Sequence, residues 1–201
     1  MLACGMFAEL PPLPIEDAPL PYVMQLEARP LDAITGIVIH CTELPDLATA
    51  REYGERALYP SAGTGNSGHY YIDRDGRVLR YVIETRVAHH VVGYNDTTVG
   101  IELVNSGRYP HWLASNHQAM REPYPAAQIA ALIALLKILS NQLPNVQWIA
   151  GHEDLDRRLL VADDDPSKQV SRKRDPGPLF PWTQVLEAIT LDRWSPPAAP
   201  E

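Results

Sequence analysis

The run Ile34-Thr35-Gly36-Ile37-Val38-Ile39-His40 constrains this chain more than any other stretch. Apolar residues fill positions 37–39, which reads as a buried strand, and a histidine ends it. A buried strand that delivers an imidazole at its end holds a metal ligand rigidly. A lone strand-end histidine is more often structural, so the weight of His40 rests on partners. Two later segments suit that role, Ile149-Ala150-Gly151-His152-Glu153 and the basic stretch from Arg172 through Asp175 to Pro178. Together the three supply two nitrogens and one carboxylate, a set that leaves one position of a zinc site open for water.

Taken in order, the chain alternates strands with helices. Residues 6–30 carry six prolines and little periodicity, which predicts an extended arm on the domain surface. The strand of residues 34–40 follows. Asp46 as N-cap and roughly helical spacing predict a helix to Leu58. Residues 60–68 form a Gly/Ser-rich loop. Strands 69–73 and 78–82 flank the turn Arg74-Asp75-Gly76 as a hairpin. A polar loop spans 84–98, a strand 99–104, and a long aromatic-bearing loop 105–124, a length that is usually functional or disordered. Pro125 starts the clearest helix, 126–143, with an apolar stripe through Ile129, Leu132, Ile133, Leu136 and Leu139. Residues 147–150 form a short strand, 153–171 a polar loop, and 182–189 a final short helix. The fold class is therefore α/β, a single domain with a mixed central β-sheet flanked by helices and the metal site at strand ends. The division is an N-terminal arm (1–30), the domain proper (31–194) and a Pro/Ala tail (195–201).

A length of 201 residues suits one such domain. The net charge of −8 argues against a broad nucleic-acid surface. No stretch reaches the length of a transmembrane helix. The two cysteines, Cys4 and Cys41, have no spacing that implies a disulfide scaffold, and Cys41 reads as a small buried residue on the face opposite His40.

Glu102 interrupts an otherwise apolar strand, and its same-face neighbours Gly100 and Val104 are not polar. An ionised carboxylate buried without a partner is costly, so Glu102 reads as a site residue, suited near a metal to act as general base for water. Asp175 precedes Pro176, which favours extended backbone; Lys173 and Asp175 then project together. The competing reading of Arg172-Lys173-Arg174 is a solvated basic loop. Of the seven histidines, His69, His89, His90, His111 and His117 compete with His40 and His152, and spacing alone does not choose among them. His90, Asn95 and Arg172 are candidates for substrate contact.

Five segments, taken in order, carry a resemblance: Ile37 to His40; His69 to Ile72 with Arg74-Asp75-Gly76; Val99 to Leu103 with Glu102; Ala150-Gly151-His152; and Arg172 to Pro178. They resemble the zinc-dependent N-acetylmuramoyl-L-alanine amidases of the AmpD and phage-lysozyme-like type, related to peptidoglycan recognition proteins. The resemblance covers residues 34–190. It implies that His40, His152 and Asp175 bind zinc, that Glu102 activates water and that Lys173 stabilises the developing oxyanion. It implies hydrolysis of the amide between N-acetylmuramic acid and L-alanine in peptidoglycan or muropeptides. Two departures stand out. Phage members carry a tyrosine where this chain has Gly68, and the stretch from His152 to Lys173 is longer than usual, which would cover the site or alter substrate choice. The rival functions are a non-catalytic peptidoglycan-binding module, against which Asp175 argues, and a zinc peptidase cutting within the stem peptide.

Leu2-Ala3-Cys4-Gly5 fits the end of a bacterial lipoprotein signal, although the charged and apolar regions of a signal are not in the sequence. Residues 125–133 and the ending from Asp175 to Trp182 look closest to the AmiD lipoprotein branch of the family. The expectation is a periplasmic-side envelope protein with a lipid anchor at Cys4; the alternative is the cytoplasm.

Overall fold

Every residue of the strand Gly36–Cys41 (β2) is buried. It occupies an inner position in a seven-stranded sheet of the computed structural model, which describes residues 13–194. Parallel neighbours flank it on both sides: β5 (Thr98–Leu103) and β6 (Trp148–Gly151). Beyond β5 lie β3 (Tyr70–Ile72), parallel to it, then β4 (Val78–Arg80), antiparallel to β3, and at the edge β1 (Ile15–Asp17). Beyond β6 lies β9 (Asp192–Arg193). The order is β1-β4-β3-β5-β2-β6-β9, a mixed sheet as expected. The helices are α1 (Leu47–Glu55), capped by the Asp46 carboxylate on the Thr49 N–H, α2 (Ala126–Gln142), the one-turn α3 (His152–Leu155) and α4 (Trp182–Glu187).

Side chains alternate along each strand, so the sheet has two different faces. Ile37 and Ile39 of β2 and Val99, Ile101 and Leu103 of β5 join the core formed with α2 through Ile129, Leu132, Leu135, Leu136 and Leu139. Four of those leucines are fully buried, and each contributes roughly 2 kcal/mol of apolar transfer. The intervening positions, His40 and Glu102 among them, face the other way. A second, smaller core covers part of that face: Leu20, Tyr22, Val23 and Leu26 pack with Ala50, Tyr71, Tyr81 and Val82. The rest of the face is left for the site.

Two expectations change. Residues 13–30 are packed into the domain rather than laid on it: β1 pairs with β4, and Leu20, Tyr22 and Leu26 are buried. Prolines break any period there, so a core contribution is not readable from spacing. The polar loop 153–171 holds α3 and an antiparallel hairpin, β7 (Leu159–Val161) with β8 (Gln169–Ser171). Asp165 closes its turn by accepting from Ser167 N–H and hydroxyl. Residues 1–12, with Cys4, and the tail 195–201 lie outside the described residues. Among the described residues no helix is long and apolar enough to cross a membrane.

Candidate active site

Strand register places the first three site residues. His40 is paired in register with Glu102 on β5, and Ile39 with Gly151 on β6, so His152 follows directly beside His40. Three adjacent parallel strands thus end on one row, at the carboxyl edge where open α/β sheets bind ligands. Asp175 arrives from a loop. A Cβ on Gly151 would stand 2.7 Å from Pro176 Cδ, so glycine there lets the Asp175-Pro176 segment press against the end of β6. Glu153 N–H donates to the Asp175 carbonyl at 2.9 Å, which locks the contact.

The result is a buried triangle. His40 Nδ1 lies 2.9 Å from Asp175 Oδ2 and 3.0 Å from His152 Nδ1, and His152 Nδ1 lies 3.2 Å from the same carboxylate oxygen. All three residues are buried, and together they are suited to hold a metal ion. Protons alone do not account for the geometry. Each edge of the triangle needs a proton between its atoms, and two neutral imidazoles bring at most one N–H apiece to these positions. Three lone pairs converging around a cation explain the cluster better. Donors bound at 2.0–2.2 Å in a tetrahedral zinc site stand about 3.3 Å apart, close to the spacing here.

Glu102 Oε1 is 4.0 Å from His40 Nδ1, at the rim of the triangle. Burial, reinforced by the charge of Asp175 and opposed by Lys173, pushes its pKa up to about 8. A carboxylate of that basicity suits proton transfer near neutral pH. Lys173 lines the same cavity as Glu102, His40 and Asp175. The arrangement holds what amide hydrolysis needs: a metal-ligand set with room beside it, a base, and a cation for developing negative charge.

Residues 30–178 match the N-acetylmuramoyl-L-alanine amidase family. The chain belongs to that family. The amidase AmiD of Escherichia coli is 36% identical over 94 residues, 46% of this chain and 28% of AmiD. The 1,6-anhydro-N-acetylmuramyl-L-alanine amidase AmpD of Enterobacter cloacae is 29% identical over 128 residues, 59% of this chain and 54% of AmpD. The structure of Escherichia coli AmiD with the substrate anhydro-N-acetylmuramic acid-L-Ala-D-gamma-Glu-L-Lys superposes with a TM-score of 0.59 at 26% identity, covering 81% of this chain and 59% of that one. The amidase LysC of Clostridium intestinale has the same fold, with a TM-score of 0.62 at 21% identity, covering 89% of this chain and 99% of that one.

Gly68 stands beside the site, against Glu102. A Cβ on Gly68 would sit 2.9 Å from Glu102 Cγ and 3.2 Å from the Gly100 carbonyl. A tyrosine at this position therefore requires Glu102 or the backbone to move. The Tyr71 hydroxyl instead lies here, 3.1 Å from Ser67 Oγ and accepting from Gly68 N–H at 3.3 Å.

The site opens into a cleft of about 1240 Å³. Tyr59 and His89 line it, as do Trp112 from the 105–124 loop and Leu160 from the β7–β8 hairpin. These last two segments are joined. Asp163 N–H donates to the Leu113 carbonyl, and the Asp164 carboxylate accepts from Ser115 and Asn116 N–H. The segment between His152 and Lys173 thus contributes Leu160, Asp163 and Asp164 to the cleft lining. His90, Asn95 and Arg172 all line the cleft. Arg172, however, is paired with Asp156, while Asn95 and both nitrogens of His90 bond within the protein.

Sequence reasoning missed the Glu43–Arg108 pair. Arg108 is fully buried and grips Glu43 with two bonds, 2.7 and 2.9 Å, while donating to the carbonyls of Ser171 and Arg172. It links the end of β2 to the backbone just ahead of Lys173 and Asp175. Glu43 adopts a left-handed φ of 49°, a conformation that costs about 1–2 kcal/mol outside glycine and that the ion pair offsets. A buried arginine in a loop has no periodic signal; only Glu43, so near His40, hinted at it.

Proposed function

We propose that this protein is a zinc-dependent N-acetylmuramoyl-L-alanine amidase acting on peptidoglycan or soluble muropeptides. The convergence of His40 Nδ1, His152 Nδ1 and Asp175 Oδ2 within 3.2 Å of one another, beside Glu102, carries the reading. His40, His152 and Asp175 would hold the metal. Bound there, zinc supplies a Lewis acid that polarises a carbonyl and brings the pKa of water to about 7. Glu102 takes the proton of the attacking water. Lys173 offsets negative charge on the lactyl carbonyl oxygen as the tetrahedral carbon forms. Glu102 then returns the proton to the leaving nitrogen, the C–N bond breaks, and the products are the muramyl carboxylate and a peptide with a free L-alanine amine.

Product analysis tests this. Purified protein given a muramyl peptide should release intact stem peptide beginning with L-alanine, with about one zinc per chain. Cleavage within the peptide would establish the peptidase reading, and binding without turnover the non-catalytic module. We place the protein on the periplasmic side of a bacterial envelope, anchored through Cys4, on the strength of Leu2-Ala3-Cys4-Gly5 and the likeness to the lipoprotein branch. Fractionation of cells expressing the native gene beside Cys4→Ser is the check. A wild-type protein confined to the cytosol and unaffected by Cys4→Ser refutes the anchor.

A further inference from the structure

We infer that His90 and Thr98 form a hydrogen-bond relay that fixes which nitrogen of His40 faces the metal position. This rests on the metal reading above and goes beyond it, because neither residue is in the ligand set.

The direction of every proton in the relay follows from one contact. Thr98 Oγ1 lies 2.7 Å from the Tyr94 carbonyl. A carbonyl only accepts, so the Thr98 hydroxyl must donate to it. The same hydroxyl oxygen lies 3.3 Å from His90 Nε2, and with its one proton spent it accepts there. His90 Nε2 therefore carries hydrogen, and His90 Nδ1 is the bare nitrogen of a neutral ring. His90 Nδ1 lies 3.0 Å from His40 Nε2, which must donate to it. His40 Nδ1 is then left as a lone pair, and that is the atom aimed at His152 and Asp175. A ligand histidine whose second nitrogen is held in this way has its tautomer and ring angle set before the metal arrives.

The surroundings hold the relay rigid. Asn95 Oδ1 accepts from the backbone N–H groups of His90, at 3.0 Å, and Val91, at 2.8 Å, fixing the segment that presents the ring. Arg29 is buried and donates to the carbonyls of Asn95 and Thr98 at 2.7 and 2.8 Å. The His90 ring lies flat over Gly100: a Cβ there would stand 2.6 Å from His90 Cγ. His152 has no counterpart, since its Nε2 is buried with no hydrogen-bond partner among the described residues. The two histidine ligands are thus unequal. His40 is set in advance, and His90 and Thr98 are positioning residues acting through it.

The test combines zinc affinity, measured by competition with a chromophoric chelator, with ¹⁵N imidazole NMR of His40 in metal-free protein. In wild type, His40 should be the Nε2–H tautomer. His90→Phe keeps a ring over Gly100 but removes the acceptor. Zinc affinity should fall 10–100-fold, as loss of a group supporting a ligand does, and His40 should become a tautomer mixture. His90→Gln, whose amide oxygen can accept from His40 Nε2–H, should recover most of the affinity. Thr98→Val, close in shape, should shift the His40 signal in the same direction with a smaller loss, and it decides the matter if His90→Phe does not fold. Wild-type affinity and an unchanged His40 tautomer in the folded variants overturn the relay. A loss in His90→Phe that Gln does not recover, with the tautomer unchanged, also overturns it, since that is mere packing. Failure of wild-type protein to bind zinc at all is a separate result, and it removes the metal reading itself.

Discussion

Replacing Arg108 by methionine should destabilise the protein by about 3–5 kcal/mol, the cost of removing one partner from a buried ion pair. The structure sets the value within that range. Arg108 is 0% exposed and bonds both oxygens of Glu43, the Gln118 side chain and the carbonyls of Ser171 and Arg172. Methionine fills the stem volume, so little cavity forms, and the loss is that of donors. Glu43 lines the cleft, where water can approach its carboxylate once the guanidinium is gone. The expected cost is therefore near the low end, about 3 kcal/mol. Replacing Glu43 by leucine as well removes the stranded charge and should recover part of the loss. Urea denaturation of wild type, both single variants and the double gives the coupling energy directly. A loss below about 1 kcal/mol in Arg108→Met, or a double variant no more stable than the worse single, would refute the view that the pair clamps the site.

Three further outcomes follow from the site. Glu102→Gln should keep zinc and fold but lose roughly a hundredfold to ten-thousandfold in turnover, measured by peptide release; wild-type turnover would remove Glu102 from the chemistry. In metal-free protein the same substitution should become relatively more stabilising as pH rises from about 5 to 8. The folded pKa of Glu102 is raised from 4.5 to about 8, so in that window the native state holds the proton that the unfolded state has released, and wild-type stability falls with pH; parallel pH–stability curves for the two proteins would contradict it. Removing the metal with a chelator should lower the melting temperature, and zinc at a thousand times its Kd should restore about 4 kcal/mol; a melting temperature indifferent to chelator and zinc would count against a resident metal.

The sheet was legible where one face repeats and illegible where packing is irregular. The apolar triplet Ile37 to Ile39 reads as a strand because both sides of β2 are covered, and α2 reads clearly because its leucines return to one face. Ile15-Glu16-Asp17 does not read as a strand: it has one apolar residue, and its pairing is supported by edge ion pairs of Glu16 with Arg77 and Asp17 with Arg80. Leu159 to Val161 is apolar but exposed, with Leu159 and Val161 more than half so, and the acidic run after it reads as loop. Within the site, residue type pointed to His40, Glu102, His152 and Asp175 as chemistry-bearing. The contacts that hold them were not readable. Which nitrogen of His90 meets His40, and which backbone carbonyls Arg108 meets, depend on loops that only the tertiary fold brings together.

The three candidate ligands differ in how they are held, and this sets where the site can move. His40 and His152 sit at the ends of adjacent strands, so their separation is fixed by sheet spacing and by the Ile39–Gly151 register. Shifting either means breaking ladder hydrogen bonds at the centre of the sheet. Asp175 and Lys173 ride on a loop, and their position relies on a few named contacts: Pro176 against Gly151, the Asp175 carbonyl on Glu153, and Arg108 on the carbonyls of Ser171 and Arg172. The same loop continues from the hairpin, whose Leu160 lines the cleft. Leu160 and, through the Asp163–Leu113 bond, the loop of Trp112 are therefore tied to a segment continuous with Asp175 and Lys173. On the proposed reading, a substrate held along Leu160 and Trp112 would bear on the carboxylate and the ammonium through that segment, and the strand-end histidines would stay with the sheet.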